Sequence, residues 1–173
     1  MGVAERGNGG GDAGTLNPPR GEPSPVPALL STRITNRWIV QPNHANIVDT
    51  AHGGNVVKWM DEAGAMAAMR FAGETCVTVR MNQVDFRRPI ETGDTARIQA
   101  YVYEAGRTSV RVRIRAYRED LRTGESELTS ESYFVYVAID EDREPTPVPE
   151  LTVETPEGET LRDEAKSGEA DLG

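Results

Sequence analysis

Residues Gly53 to Phe71 form the one long stretch of this chain whose apolar residues recur at the helical period, while the other patterned segments alternate with period two. One long helix among strands narrows the fold sharply. With Met60 as reference and about 100° per residue, Val56, Ala63, Ala67 and Phe71 fall within roughly 60° of it and make a core stripe. Residues 31–42 alternate through Ile34, Trp38 and Val40 and stop at Pro42, as a short strand does. Residues 76–86 alternate at Val77, Val79 and Met81, then resume out of phase at Val84 and Phe86, which predicts a β-bulge between the two halves. Residues 95–105 set Ala96, Ile98, Ala100 and Val102 on one face. In the next run Val110, Val112 and Ile114 point inward and Arg111, Arg113 and Arg115 outward, to a solvated face. Residues 128–139, dense in aromatic and β-branched residues, read as the last strand. The strands after the helix are joined by turn-like segments, which favours antiparallel pairing. The expected class is α+β: a curved antiparallel β-sheet wrapped around one central helix.

The flanks differ from this centre. Residues 1–30 carry almost no apolar content and predict a disordered leader. Residues 31–144 form the domain, and residues 145–173 an acidic tail expected to be disordered. Residues 140–173 hold 12 acids against three bases, whereas residues 31–139 hold 13 acids and 14 bases. The net charge of −9 therefore belongs to the tail. A near-neutral centre excludes duplex binding by a basic surface, so no nucleic acid is expected. No run approaches the ~20 apolar residues of a membrane span, and no apolar signal core is present. The expectation is a cytoplasmic protein without membrane contact. Cys76 is the only cysteine, so a disulfide framework and a cysteine metal site are excluded, and it reads as a small buried hydrophobe. His44 and His52 are too few ligands for zinc, and no metal is expected.

Asp61 is the anomaly of the helix. It stands at the edge of the apolar stripe, beside Gly64 and Ala68, whereas Glu62 points to solvent. A carboxylate there must be hydrogen-bonded or functional. One reading is a bond to strand backbone or a subunit boundary. The other is a general base or nucleophile facing a cleft left by Gly64 and Ala68. The helix opens on Gly53-Gly54, where unpaired backbone N–H groups can meet a ligand oxygen closely, although a tight loop-to-helix turn uses the same residues. Asp61 follows Gly54 by about two turns, roughly 10 Å of rise. An oxyanion at the helix start and a base from this helix, or from a partner chain, could then share one substrate.

The segments PNHANIVDTAHGG and KWMDEAGAMAA, with VDFRRPIETGD, GRTSVRVRI and YFVYVAIDED followed by PVP, resemble the hotdog-fold acyl-CoA thioesterases over about residues 32–149. The resemblance implies a hotdog fold and hydrolysis of acyl-CoA to fatty acid and CoA with no cofactor beyond the substrate's own CoA. It also implies a homodimer joined edge to edge, often a trimer of dimers, with active sites between protomers. Asp61 matches the family's catalytic acid. Asn46 and Thr50 match loop positions that place water or thioester from the facing protomer. Asp49 departs from the glycine usual in that loop. His52, Gly53 and Gly54 match the carbonyl-polarising helix start, with Gly64 leaving room for the thioester. Arg87, Arg88 and the turn Arg107, Thr108 and Ser109 match places that approach the CoA nucleotide and phosphates. A rival reading of another class is a non-catalytic acyl-CoA-binding or regulatory module. Tight binding of an acyl-CoA without thiol release would mark it.

Overall fold

A computed structural model describes residues 27–172. Five strands form one antiparallel sheet: β1 (Ile34–Ile39), β2 (Thr75–Met81), β3 (Thr95–Ala105), β4 (Ser109–Glu119) and β5 (Ser126–Ile139), in the order β1-β3-β4-β5-β2. The helix α1 (Gly53–Ala72) lies in the concave face. Its start matches the sequence reading, and it runs one residue past Phe71. Gly73, in the left-handed region at φ 70°, ends it by donating its N–H to the Met69 carbonyl. Val56, Met60, Ala63, Ala67 and Phe71 are all buried against Ile98, Ala100, Val112, Ile114 and Phe134. The inward rows of β3 and β4 are those the alternation predicts.

Two strand expectations change. Residues 82–90 form no strand, and the irregularity of β2 lies earlier, between Thr78 and Arg80 in the pairing with β5. The expected row Val77, Val79 and Met81 is split: Val77 points away from the helix, Val79 is the extra residue at the irregularity, and Met81 pairs with buried Phe134 on the helix side. All three stand exposed on an edge strand, Val79 at 56%, while Cys76 and Thr78 carry the inward phase. Burial, and then the charge of Glu74, pushes the Cys76 thiol up to about 11, so it stays a neutral core group.

The expected disorder of the leader falls on residues 1–26, which lie outside the described residues. The leader's last residues do belong to the fold: Leu29, in a short 3-10 turn (Leu29–Thr32), is buried. The tail is the larger correction. Residues 156–170 form a second helix, α2 (Pro156–Ala170), capped by the Thr155 hydroxyl accepting from Gly158 N–H, with Glu157 and Glu159 in its first turn. It packs on the convex face of the sheet, where Leu29, Tyr101, Tyr103, Tyr133 and Ala165 form a second core. Beyond Ala165 and flanking leucines it is held by polar contacts. The outward arginines are not a solvated face. Arg113 donates to Glu131 at 2.9 Å, to Glu164 at 3.2 Å and to the Tyr101 hydroxyl at 3.1 Å. Arg111 donates to Glu169 at 2.8 Å, which also accepts from Tyr103 and from Asn82 in the loop after β2. Burial alone would lower the Arg113 guanidinium, but Tyr101 and Glu131 outweigh it and keep it charged.

The tyrosines under α2 have a pH signature. Burial raises Tyr101, Tyr103 and Tyr133 above the ordinary phenol value, with Tyr133 pushed up to about 12. Above about pH 10 the unfolded chain releases these protons and the folded chain retains them. Their stabilising contribution is therefore complete below about pH 10 and is lost as pH rises through the folded values. We expect their tyrosinate absorbance to appear together with loss of helical circular dichroism in an alkaline titration. Titration of these phenols near the ordinary value with the helix signal intact would contradict this packing.

Candidate active site

Asp61 lies in the middle of α1, where the helix passes the edge of the sheet at β2. Its Oδ1 accepts from Thr78 Oγ1 at 2.6 Å and from the Tyr136 hydroxyl at 3.1 Å. Tyr136 also lies 3.1 Å from the Asp61 carbonyl oxygen. Burial, then the adjacent Asp61 charge and its hydrogen bond, raise the Tyr136 phenol, so it remains a donor throughout the ordinary pH range. Asp61 Oδ2 has no protein partner among the described residues. One oxygen is thus fixed by two neutral hydroxyls, and the other is free to act on a solvent molecule.

Thr78 and Tyr136 were not among the sequence-predicted residues. Thr78 could have been found from strand phase: it shares a face with Cys76, opposite Val77. Tyr136 had no local signal, because its role follows from its pairing with Thr78 across β2 and β5. Gly64 also needs correcting. The space beside it is not open to a thioester. A Cβ there would come within 2.6 Å of Ile114 Cδ1 and 2.9 Å of Tyr136 Cζ. Its smallness admits the tyrosine that grips Asp61, and Ala68 is itself fully buried. Glu62 forms only a loose helical pair with Lys58 at 3.8 Å, as its outward direction predicts.

A separate pocket of about 360 Å³ opens at the start of α1, lined by Asn46, Thr50, Gly53, Phe86, Arg87, Arg88 and Ser130 among others. The Asn46 Oδ1 accepts from the backbone N–H of Val48 and of Thr50, and its Nδ2 donates to Thr50 Oγ1. Asp49 takes the left-handed conformation, φ 59°, between them. This short-range turn fixes Asn46 and Thr50 together. Of the two helix-start amides, Gly54 N–H donates to His52 Nδ1 at 3.1 Å. His52 is therefore the helix cap, and only Gly53 N–H has no protein partner among the described residues. A Cβ on Gly53 would press on Phe86 Cζ at 3.3 Å.

Arg87 and Arg88 lie on the pocket rim, and Arg88 pairs with Glu127 at 2.8 Å on the surface. The Arg107–Ser109 turn lies elsewhere: the Thr108 carbonyl accepts from Ala138 N–H, whereas Arg87 N–H donates to the Thr129 carbonyl. Nine residues of β5 separate these points, about 30 Å. Asp61 lies eight residues beyond Gly53, about 12 Å along the helix. One chain therefore brings Asn46, Thr50, Gly53, Arg87 and Arg88 together and keeps Asp61 and the Arg107 turn apart from them. Among the described residues no group of three or more histidine, cysteine or acidic side chains is placed to hold a metal, and no helix is long and apolar enough to cross a membrane.

Residues 49–125 match the family model of the thioesterase superfamily. The acyl-CoA thioester hydrolase YkhA of Bacillus subtilis, itself uncharacterised, is 34% identical over 126 residues, 73% of each chain. The acyl-CoA hydrolase of Staphylococcus aureus, solved with butyryl coenzyme A and coenzyme A, superposes with a TM-score of 0.76 at 30% identity, covering 83% of this chain and 87% of that one. A hexameric acyl-CoA thioesterase superposes at 0.75 with 33% identity, covering 84% and 93%. Alanine variants of the S. aureus protein at one asparagine, one aspartate and one threonine have also been solved, and those residues follow one another at intervals of 15 and 17. Asn46, Asp61 and Thr78 are spaced by the same intervals.

Proposed function

The chain belongs to the acyl-CoA thioester hydrolases of the thioesterase superfamily, and from that premise we propose that it hydrolyses acyl-CoA with Asp61 of one copy acting at the Asn46–Gly53 pocket of a second. Asp61 Oδ2 takes a proton from water as the water oxygen attacks the thioester carbonyl carbon. The carbon–sulfur bond breaks, and the departing CoA thiolate takes up that proton. Thr78 and Tyr136 hold the carboxylate, and the free Gly53 amide donates to the carbonyl oxygen. The matching intervals in the S. aureus protein support Asn46, Asp61 and Thr78 as one working set. Nothing in this scheme requires a metal or redox group.

The observation that carries the two-chain reading is the distance of about 12 Å from Gly53 to Asp61 within one chain, several times what one thioester and its attacking water can span. The exposed apolar residues of β2 supply the joining edge, because an open edge strand with apolar side chains invites pairing. Antiparallel pairing of two β2 strands sets the start of one beside the end of the other. That arrangement carries one copy's Arg107–Ser109 turn toward the other's Arg87 and Arg88, where guanidinium groups suit the phosphates of CoA. The hexameric relative supports further assembly of such dimers into a trimer of dimers.

Complementation tests the reading. Asn46→Ala and Asp61→Asn are each expected to be nearly inactive. Mixed after subunit exchange, they should recover up to about a quarter of wild-type thiol release, because a two-fold mixed dimer has one intact and one doubly defective site. No recovery in demonstrated mixed dimers would place both residues in one chain's site and defeat the two-chain reading.

A further inference from the structure

We propose that Ser130 is a substrate-contacting residue whose hydroxyl donates to the thioester carbonyl oxygen beside the Gly53 amide; this rests on the hydrolase reading above. Ser130 is 1% exposed, and its Oγ has no hydrogen-bond partner among the described residues. Leaving a buried hydroxyl unpaired is costly, and native folds rarely do so without a use. The residue borders the pocket at the start of α1, which is also lined by Gly53. Two residues with donors unpaired among the described residues, one an amide and one a hydroxyl, thus line a single cavity.

The local chain geometry is built to present it. Ser130 pairs with Ala116, and Leu128 with Tyr117, so Thr129 is an extra residue on β5. Such bulges re-aim neighbouring side chains and gather beside active sites. Thr129 is fully engaged: its hydroxyl donates to the Ala116 carbonyl at 3.0 Å, and its carbonyl accepts from Arg87 N–H. Two residues beyond Ser130, Ser132 donates to the Asn82 carbonyl at 3.1 Å. Of the three hydroxyl residues Thr129, Ser130 and Ser132, Ser130 alone keeps its hydroxyl unused among the described residues. A donor aimed at the carbonyl oxygen gains strength as negative charge develops there, so it serves the rate more than the binding.

The test uses Ser130→Ala in the full chain, with an acyl-CoA substrate and, separately, an S-alkyl-CoA thioether that lacks the carbonyl. We expect kcat to fall about 100-fold, as for loss of one oxyanion donor. The Kd of the thioether should be unchanged, and Tm should not fall, because the lost hydroxyl made no bond to protein. Unchanged kcat in the variant beside an active wild type overturns the assignment. So does a parallel loss of thioether affinity, or a drop in Tm that accounts for the activity. A wild-type chain that releases no thiol fails the hydrolase reading itself, and this assignment with it.

Discussion

Asp61→Asn should reduce CoA thiol release by about three orders of magnitude, within the range for removal of a general base, while the protein stays folded. The amide has the size of the carboxylate. Its oxygen can still accept from Thr78 and Tyr136, which grip only Oδ1 in the native protein. What disappears is the free anionic oxygen on the other side. Glu62→Gln, one residue on, removes only a loose surface pair and serves as the control with unchanged rate. Full activity in Asp61→Asn would defeat the assignment. A single turnover in heavy-oxygen water separates base from nucleophile. A base sends all of the label into the released acid, whereas label in the Asp61 carboxylate marks a nucleophile whose mixed anhydride water opens at the Asp61 carbonyl.

Gly64→Ala is the second large effect, and its sign is decided by two opposed terms. Helix propensity favours alanine over glycine inside a helix by about 1 kcal/mol. Against that, the new methyl would overlap Tyr136 and the Ile114 side chain, and overpacking of this kind costs about 1–3 kcal/mol. The tyrosine is fully buried and has no free side to swing into, so the clash wins. We expect a lower Tm and, more tellingly, an activity loss of at least about tenfold as the phenol is pushed off Asp61. Adding Tyr136→Phe to Gly64→Ala should then cost little more than Gly64→Ala alone. Additive losses in the double variant would show that the methyl acts by another route.

Much of the fold was legible because most elements bury a single regular face. The helix from Gly53, the inward rows of β3 and β4, and the buried thiol of Cys76 follow from period and residue type. The misreadings have physical causes. In β2 Val77 and Val79 are exposed and the register breaks before Met81, so the rule that apolar residues point inward selects the wrong phase at Val77 and hides Thr78. In α2 the anchoring is electrostatic. Glu164 and Glu169 dock on Arg113 and Arg111, and a hydrophobic pattern carries no trace of that. The candidate site was half legible: oddity or resemblance marks Asp61, Asn46 and the Gly53 amide. Gly64 was credited with an open space that the fold fills with Tyr136, a residue 72 positions away in sequence.

The irregularity between Thr78 and Arg80 also bears on how this strand can vary in length. Side chains in a strand alternate, so one residue inserted or deleted between Thr75 and Thr78 would turn the threonine to the opposite face and leave Asp61 with Tyr136 alone. One residue gained or lost beyond Thr78 meets a register that is already broken, and the loop after Met81 can take up the remainder. Evolutionary drift in chain length is therefore barred upstream of the threonine and admitted immediately downstream of it.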